Sequence, residues 1–170
     1  MTTPEITAAL SRFDADIAVA TSPDAAFGAL EVLARAVVGA KLFTVMEVDM
    51  EADLSRRAYT SDPVAYPASG TKPINYGPWF DIVHTQRAYF VRNTLAQIAE
   101  FLFDHELIGS LGCGSIVNVP IIIGDELIAT MNLLEEEHFY TPERVAVIEQ
   151  HLSIPAKLAA LVALRTRKAA

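Results

Sequence analysis

The segments SIVNVPIII (115–123), GD (124–125) and ELIATMNLL (126–134) carry the strongest strand signal in the chain. β-Branched and apolar residues dominate both runs, and a two-residue Gly-X connection between them is the signature of a β-hairpin, expected here with a type II′ turn. Val117, Val119 and Ile121 alternate along the first run, as do Leu127, Ala129, Met131 and Leu133 along the second, so period two assigns each set to a buried, helix-covered face. Asn118, Thr130 and Asn132 then belong to the opposite side. A buried amide without a partner costs on the order of 1 to 3 kcal/mol, so something must satisfy the two asparagines. A strict two-residue hairpin pairs Asn118 with Met131 and sets the asparagines on different faces. A bulge at Pro120, which has no N–H for the ladder, returns them to one face. Sequence alone leaves both arrangements open.

Upstream, Gly109, Gly112 and Gly114 loosen the backbone ahead of the hairpin. The Asn93-Thr94 cap predicts a helix over 95–103, preceded by a strand over 88–91 and a short helix over 79–85. Between 60 and 78 the pattern dissolves into Pro63, Pro67, Pro73 and Pro78 with Gly70 and Gly77. Loops longer than about 12 to 15 residues in compact domains are usually functional or disordered. Tyr66, Tyr76 and Trp79 favour an ordered loop. Strands are expected over 41–49 and Leu54–Thr60.

Two helices open the chain. Thr3-Pro4-Glu5 starts the first, with Ile6, Leu10, Phe13 and Ile17 at helical spacing. Ser22-Pro23-Asp24 starts the second, carried by Phe27, Leu30, Leu33, Ala34 and Val37 until Gly39 supplies a left-handed stop. Thr141-Pro142-Glu143 opens the last helix, bearing Val145, Ile148 and Leu152, with a kink or interruption expected at Pro155. The order α, α, β, β, loop with helix, β, helix, β, β, α predicts an α+β fold: an antiparallel sheet with the N- and C-terminal helices on one face. Residues 60–114 are expected to roof the other face over a small-molecule cavity.

Composition bounds the function. The 170 residues suit one domain, taken as 1–170 with a core over about 22–162, an N-terminal helix within 1–21 and a helical extension over 155–170. A net charge of −8 opposes sequence-independent nucleic-acid binding. The longest apolar run, 158–164, is far short of the ~18 to 20 residues of a membrane span, and the first residues lack a secretory pattern, so a cytoplasmic location is expected, with no membrane partner. Cys113 is the single cysteine, which removes an intrachain disulfide, a CxxC pair and a cysteine-rich zinc site. His84, His105, His138 and His151 show no HxxxH or HxH spacing, and no GxGxxG, P-loop or GxSxG motif occurs.

The run 114–121, the run 124–134, then Phe139-Tyr140 and the closing helix, together resemble the GAF domain family of small-molecule-sensing modules. The resemblance spans residues 22 to 162, with Ala129 standing where such domains usually have glycine. It implies the architecture more firmly than a ligand. Bilin-binding members have a chromophore cysteine, usually beside a histidine, whereas Cys113 is followed by Gly114. The Asn-Lys/Arg…Phe…Asp-Glu signature of cyclic-nucleotide binders is unmatched. Free-methionine-sulfoxide reductases use more than one cysteine, a cycle that one cysteine cannot close within the chain.

Tyr59, Tyr66, Tyr76 and Trp79 cluster around the irregular segment, and each offers an apolar body with a polar tip suited to orienting a ligand or to packing the loop. With Asn118, Thr130 and Asn132 they form the candidate ligand site. Arg57, Lys72 and Arg92 are available to an acidic ligand, although solvation is the default for such side chains. Cys113 lacks a basic neighbour in sequence, which favours an inert buried thiol over a redox group. His84 and His105 are candidate haem ligands but are more ordinarily structural. The reading is a non-catalytic sensor of a small organic ligand, its cofactor unknown, closing its long loop and signalling through a homodimer of terminal helices or a separate output protein. The alternative is a redox enzyme using Cys113.

Overall fold

The computed structural model describes residues 2–167. In chain order the elements are α1 (Thr3–Ala18), α2 (Pro23–Val37), β1 (Leu42–Asp49), β2 (Leu54–Thr60), β3 (Lys72–Pro73), α3 (Pro78–Phe80) running into a π-helical turn (Asp81–Thr85), β4 (Phe90–Arg92), α4 (Leu95–Ala99), α5 (His105–Ser110), β5 (Ser115–Ile123), β6 (Glu126–Glu135) and α6 (Pro142–Arg167). They fall into two compact units. One is the stretch Ala40–Val145, and the other combines the helical segments before and after it.

The central unit is built on one six-stranded sheet in the order β3-β2-β1-β6-β5-β4. Every neighbouring pair is antiparallel, which makes the fold α+β. The β5–β6 hairpin turns at Gly124 and Asp125, with φ of 59° and 74°. Two positive φ values define a type I′ turn, not the expected type II′, because here Asp125 as well as Gly124 takes the left-handed conformation. Ile121 pairs with Ala129 but Ile122 with Leu127, so Ile128 is the extra residue. The bulge therefore lies on β6, not at Pro120. Its effect is the one the sequence required of a bulge: Asn118 stands opposite Asn132.

A second bulge lies between β1 and β2. Met46 pairs with Arg57 and Val45 with Tyr59, leaving Ala58 extra. Alternation along β2 would put Tyr59 beside Ser55 and Arg57; the extra residue turns it to the other face, where its ring meets Phe43 edge to face at 6.0 Å.

Differences from the expected elements cluster in 60–114. β3 has only two residues, too few for any periodicity to announce. The helix expected over 95–103 stops at Ala99, where the N–H groups of Phe101 and Leu102 both return to Ile98 O, and a separate helix, α5, follows from the N-cap Asp104. The strand expected over 88–91 is β4, which begins two residues later and ends one residue later. Gly109 does not loosen the chain: a Cβ there would meet Leu95 Cδ2 at 2.7 Å, so its role is to let α5 approach α4. Cys113, Ile116, Phe90, Ile98, Ile108, Phe80, Val83, Tyr66 and Leu134 belong to one buried apolar cluster of this unit.

In the helical unit, α1 buries Phe13 and Ile17, and α2 buries Phe27, Leu30, Leu33, Ala34 and Val37 before Gly39, at φ 90°, ends it. The helix α6 continues through Pro155. Proline there removes one intrahelical hydrogen bond, and the buried series Ile148, Leu152, Ala156, Ala159 and Ala163 runs on across it. Among the described residues α6 alone matches a membrane span in length and hydropathy. A buried core helix passes the same test, and the 3–4 spacing of its buried positions is that of a packing helix. Ile154, Leu158, Leu161 and Leu164 are exposed along another face. Of the extension expected over 155–170, residues 168–170 lie outside the described residues.

Candidate functional site

A cavity of about 390 Å³ lies between the sheet and the segment that follows β2, within the range of small-molecule sites. The strands present Thr44, Met46 and Val48 from β1, Ser55 and Arg57 from β2, Ile116 and Asn118 from β5, and Asn132 and Leu134 from β6. These are alternate positions, as one face of a pleated sheet requires. The roof comes from Tyr66, from residues 72–75 and 77–80, and from residues 101–104 with Ile108.

The floor is polar at its centre. Asn132 Nδ2 donates to Thr44 Oγ1 at 3.1 Å, while Asn132 Oδ1 is buried with no partner in the protein. Asn118 Oδ1 accepts the indole N–H of Trp79 at 2.7 Å, which leaves its Nδ2 as the donor on offer. An acceptor and a donor thus stand side by side on cross-strand partners, whose Cα atoms lie about 5 Å apart.

The mouth is charged. Arg57 donates to Pro67 O at 2.8 Å, lies 3.7 Å from Asp104 and covers the Tyr66 ring at 3.7 Å. The Tyr66 hydroxyl donates to Asp104 Oδ2 in a short bond. Burial first, and then the Asp104 charge, raise the Tyr66 phenol far above its ordinary range, so it stays a neutral donor. Arg57, Tyr66 and Asp104 therefore tie β2, the following loop and the α4–α5 connection together. Lys72 also lines the cavity, with its ammonium 5.3 Å from the centre of the Phe103 ring.

Of the seven residues singled out from the sequence, Tyr66, Trp79, Asn118 and Asn132 line this cavity. Tyr59, Tyr76 and Thr130 do not. Tyr59 is turned away by the β2 bulge. Tyr76 is exposed, its hydroxyl donating to Asp53 at 2.6 Å. Thr130 shares the face of Asn132 but sits farther along β6, fully buried, with Oγ1 lacking a protein partner. Thr44, Asp104 and Phe80 were missed. Thr44 was legible by the logic used for the asparagines, being a polar residue amid the apolar start of β1; nothing local marks Asp104.

Arg92 is not among the cavity residues; its guanidinium lies over the Phe90 and Phe101 rings at 4.4 and 4.2 Å. His84 stacks on Phe80, and His105 Nδ1 lies 3.0 Å from Leu102 O. Cys113 is buried in the apolar cluster and is not among the cavity residues. Burial pushes its thiol up to about 11, with the Lys41 ammonium opposing and the Glu135 carboxylate adding to the rise.

The family model of the GAF domain matches residues 20–153. The chain belongs to the GAF domain family, a family of ligand-binding sensor and regulatory domains. No curated protein matches. Among solved structures, the GAF domain of a phosphoenolpyruvate-protein phosphotransferase from Coxiella burnetii is similar over 100% of both chains at 15% identity, with a TM-score of 0.72. The GAF domain of a two-component sensor histidine kinase from Bacillus halodurans aligns with 86% of this chain and 99% of its own, at 15% identity and a TM-score of 0.68. Free methionine-R-sulfoxide reductase from Neisseria meningitidis, in complex with its substrate, aligns with 97% of this chain and 92% of its own, at 16% identity and a TM-score of 0.68. At these identities the likeness is one of fold.

Proposed function

We propose that this GAF domain is a non-catalytic sensor that binds a small organic ligand in the cavity over β1, β5 and β6, with Tyr66, Trp79, Asn118 and Asn132 as contact residues. The observation that carries this reading is Asn132 Oδ1, a buried acceptor without a protein partner on the floor of a 390 Å³ cavity. Buried polar groups are almost always satisfied, and a ligand donor is one way to satisfy this one. The loop held by Arg57, Tyr66 and Asp104 is the element that closes on the ligand. The signal passes through a homodimer joined by terminal helices, supported by the exposed Ile154, Leu158 and Leu161 at d-a-d spacing on α6, or through a separate output protein. A cytoplasmic location belongs to the same proposal, consistent with a single unpaired thiol. The redox alternative is not favoured, since it depends on a thiol that is buried, protonated at neutral pH and not among the cavity residues.

Native mass spectrometry of gently isolated protein tests this. The expected result is a stoichiometric mass excess that disappears on denaturation and is reduced in Asn132→Leu. Protein that carries no bound molecule, and whose melting point no member of a broad metabolite library raises, overturns the reading.

A further inference from the structure

We infer that the ligand class is a small aromatic organic acid, held with its carboxylate toward Arg57 and Lys72 and a hydroxyl or amide at its far end against Asn118 and Asn132. The inference deepens the sensor reading and rests on it.

Charge argues for the acid. Three charged side chains line the cavity, Arg57, Lys72 and Asp104, two of them cationic. The Asp104 carboxylate is taken up by the Tyr66 hydroxyl and by Arg57 at 3.7 Å. Among the described residues no carboxylate forms a salt bridge with Lys72, whose ammonium lies over the face of Phe103. In a protein of net charge −8 the cavity mouth is thus a local positive site, and an incoming carboxylate supplies the missing counter-charge.

Hydrogen bonding argues for the far end. The floor holds Asn132, whose buried Oδ1 has no protein partner, beside Asn118, whose Nδ2 can donate. A phenolic hydroxyl answers both at once, and so does an amide edge. An aliphatic end leaves the acceptor unsatisfied, at a cost on the order of 1 to 3 kcal/mol.

Strand geometry sets the length. Asn132 pairs with Thr44, and Met46, two residues along β1, pairs with Arg57. Two strand spacings and two residues put the Cα atoms of Asn132 and Arg57 ~12 Å apart. With side chains reaching inward from both ends, that span fits one aromatic ring with a short acidic arm. Met46, Trp79, Phe80, Phe101 and Leu134 supply the apolar and aromatic walls between the poles.

The test is calorimetric titration of the whole protein with matched probes: 4-hydroxybenzoate, 4-hydroxyphenylacetate, 3-(4-hydroxyphenyl)propionate and indole-3-acetate, each beside its primary amide, with tyramine as the cationic counterpart and phenylacetate lacking the hydroxyl. The expected result is that at least one acid binds in the micromolar range, about tenfold or more tighter than its amide, with tyramine not binding. That acid should weaken about tenfold in Lys72→Glu, a substitution at an exposed position that leaves the fold intact. Asn132→Leu should abolish the advantage of 4-hydroxyphenylacetate over phenylacetate. Amides or tyramine binding as well as the acids, or no acid binding below millimolar concentration, overturns the inference. Should native mass spectrometry then still find a bound neutral or cationic molecule, the sensor reading survives without it; should it find none, both fail.

Discussion

The indole N–H of Trp79 donates to Asn118 Oδ1 at 2.7 Å, joining roof to floor across 39 positions of chain. This bond fixes which end of the Asn118 amide faces the cavity. Trp79→Phe keeps the apolar wall and removes the donor, leaving a largely buried carbonyl oxygen unpaired. We expect a loss of about 1 kcal/mol in urea unfolding. In the double variant Trp79→Phe with Asn118→Leu the two losses should not add, because no orphaned oxygen remains. Strict additivity in that cycle would show that the bond is not formed in solution.

Tyr66, Asp104 and Arg57 make a second prediction, on loop closure. Removing the hydroxyl in Tyr66→Phe deletes a bond to a carboxylate, for which a loss of about 1.5 to 2 kcal/mol is expected. The effect should be local before it is global: amide exchange should quicken over residues 61–71 and 100–104 while β5 and β6 stay protected. Because burial and Asp104 both raise the phenol, Tyr66 should also ionise well above the ordinary tyrosine range in a spectroscopic titration at 295 nm, and Tyr66→Phe should remove that late step. Exchange that rises equally throughout the sheet would deny the latch.

Cys113 carries the pH prediction. Its thiol titrates near 11 in the folded protein, against 9.0 for the ordinary group. Between those values the unfolded chain has released the proton while the native chain retains it, so stability present below pH 9 is lost as pH rises through 11. Cys113→Ala should lack that part of the decline. The same burial should leave the native thiol unreactive to iodoacetamide at pH 8 until denaturant is added. Rapid stoichiometric alkylation of native protein would instead return Cys113 to the list of functional candidates.

The hairpin, the two opening helices and the closing helix were legible because each repeats one period over eight residues or more. What period two cannot show is where a bulge falls. Ile128 and Ala58 are ordinary strand residues, yet each extra position reverses the facing of everything beyond it, which is why Asn118 meets Asn132 and why Tyr59 leaves the cavity. The roof was illegible for another reason. Its elements are two to six residues long, and Tyr66 finds Asp104 across 38 positions with no local pattern to mark either. The asparagines were readable as anomalies in an apolar run, and Thr44 obeyed the same rule unnoticed.

The last prediction concerns assembly. Ile154, Leu158 and Leu161 are 78%, 40% and 47% exposed, on a helix whose opposite residues Leu152, Ala156, Ala159 and Ala163 are buried. The exposed residues follow 4–3 spacing, the seam of a paired helix, whereas the buried ones serve the fold of the single chain. A second copy laying the same seam against this one would bury both stripes by C₂ symmetry. Light scattering at micromolar concentration should therefore give twice the 18.5 kDa of one chain. Leu158→Glu with Leu161→Glu should return the mass to 18.5 kDa with unchanged circular dichroism, since neither side chain belongs to the core. A monomeric wild type sinks the dimer. A dimer that survives both glutamates moves the interface to another surface, and α6 would then need a different partner for its apolar face.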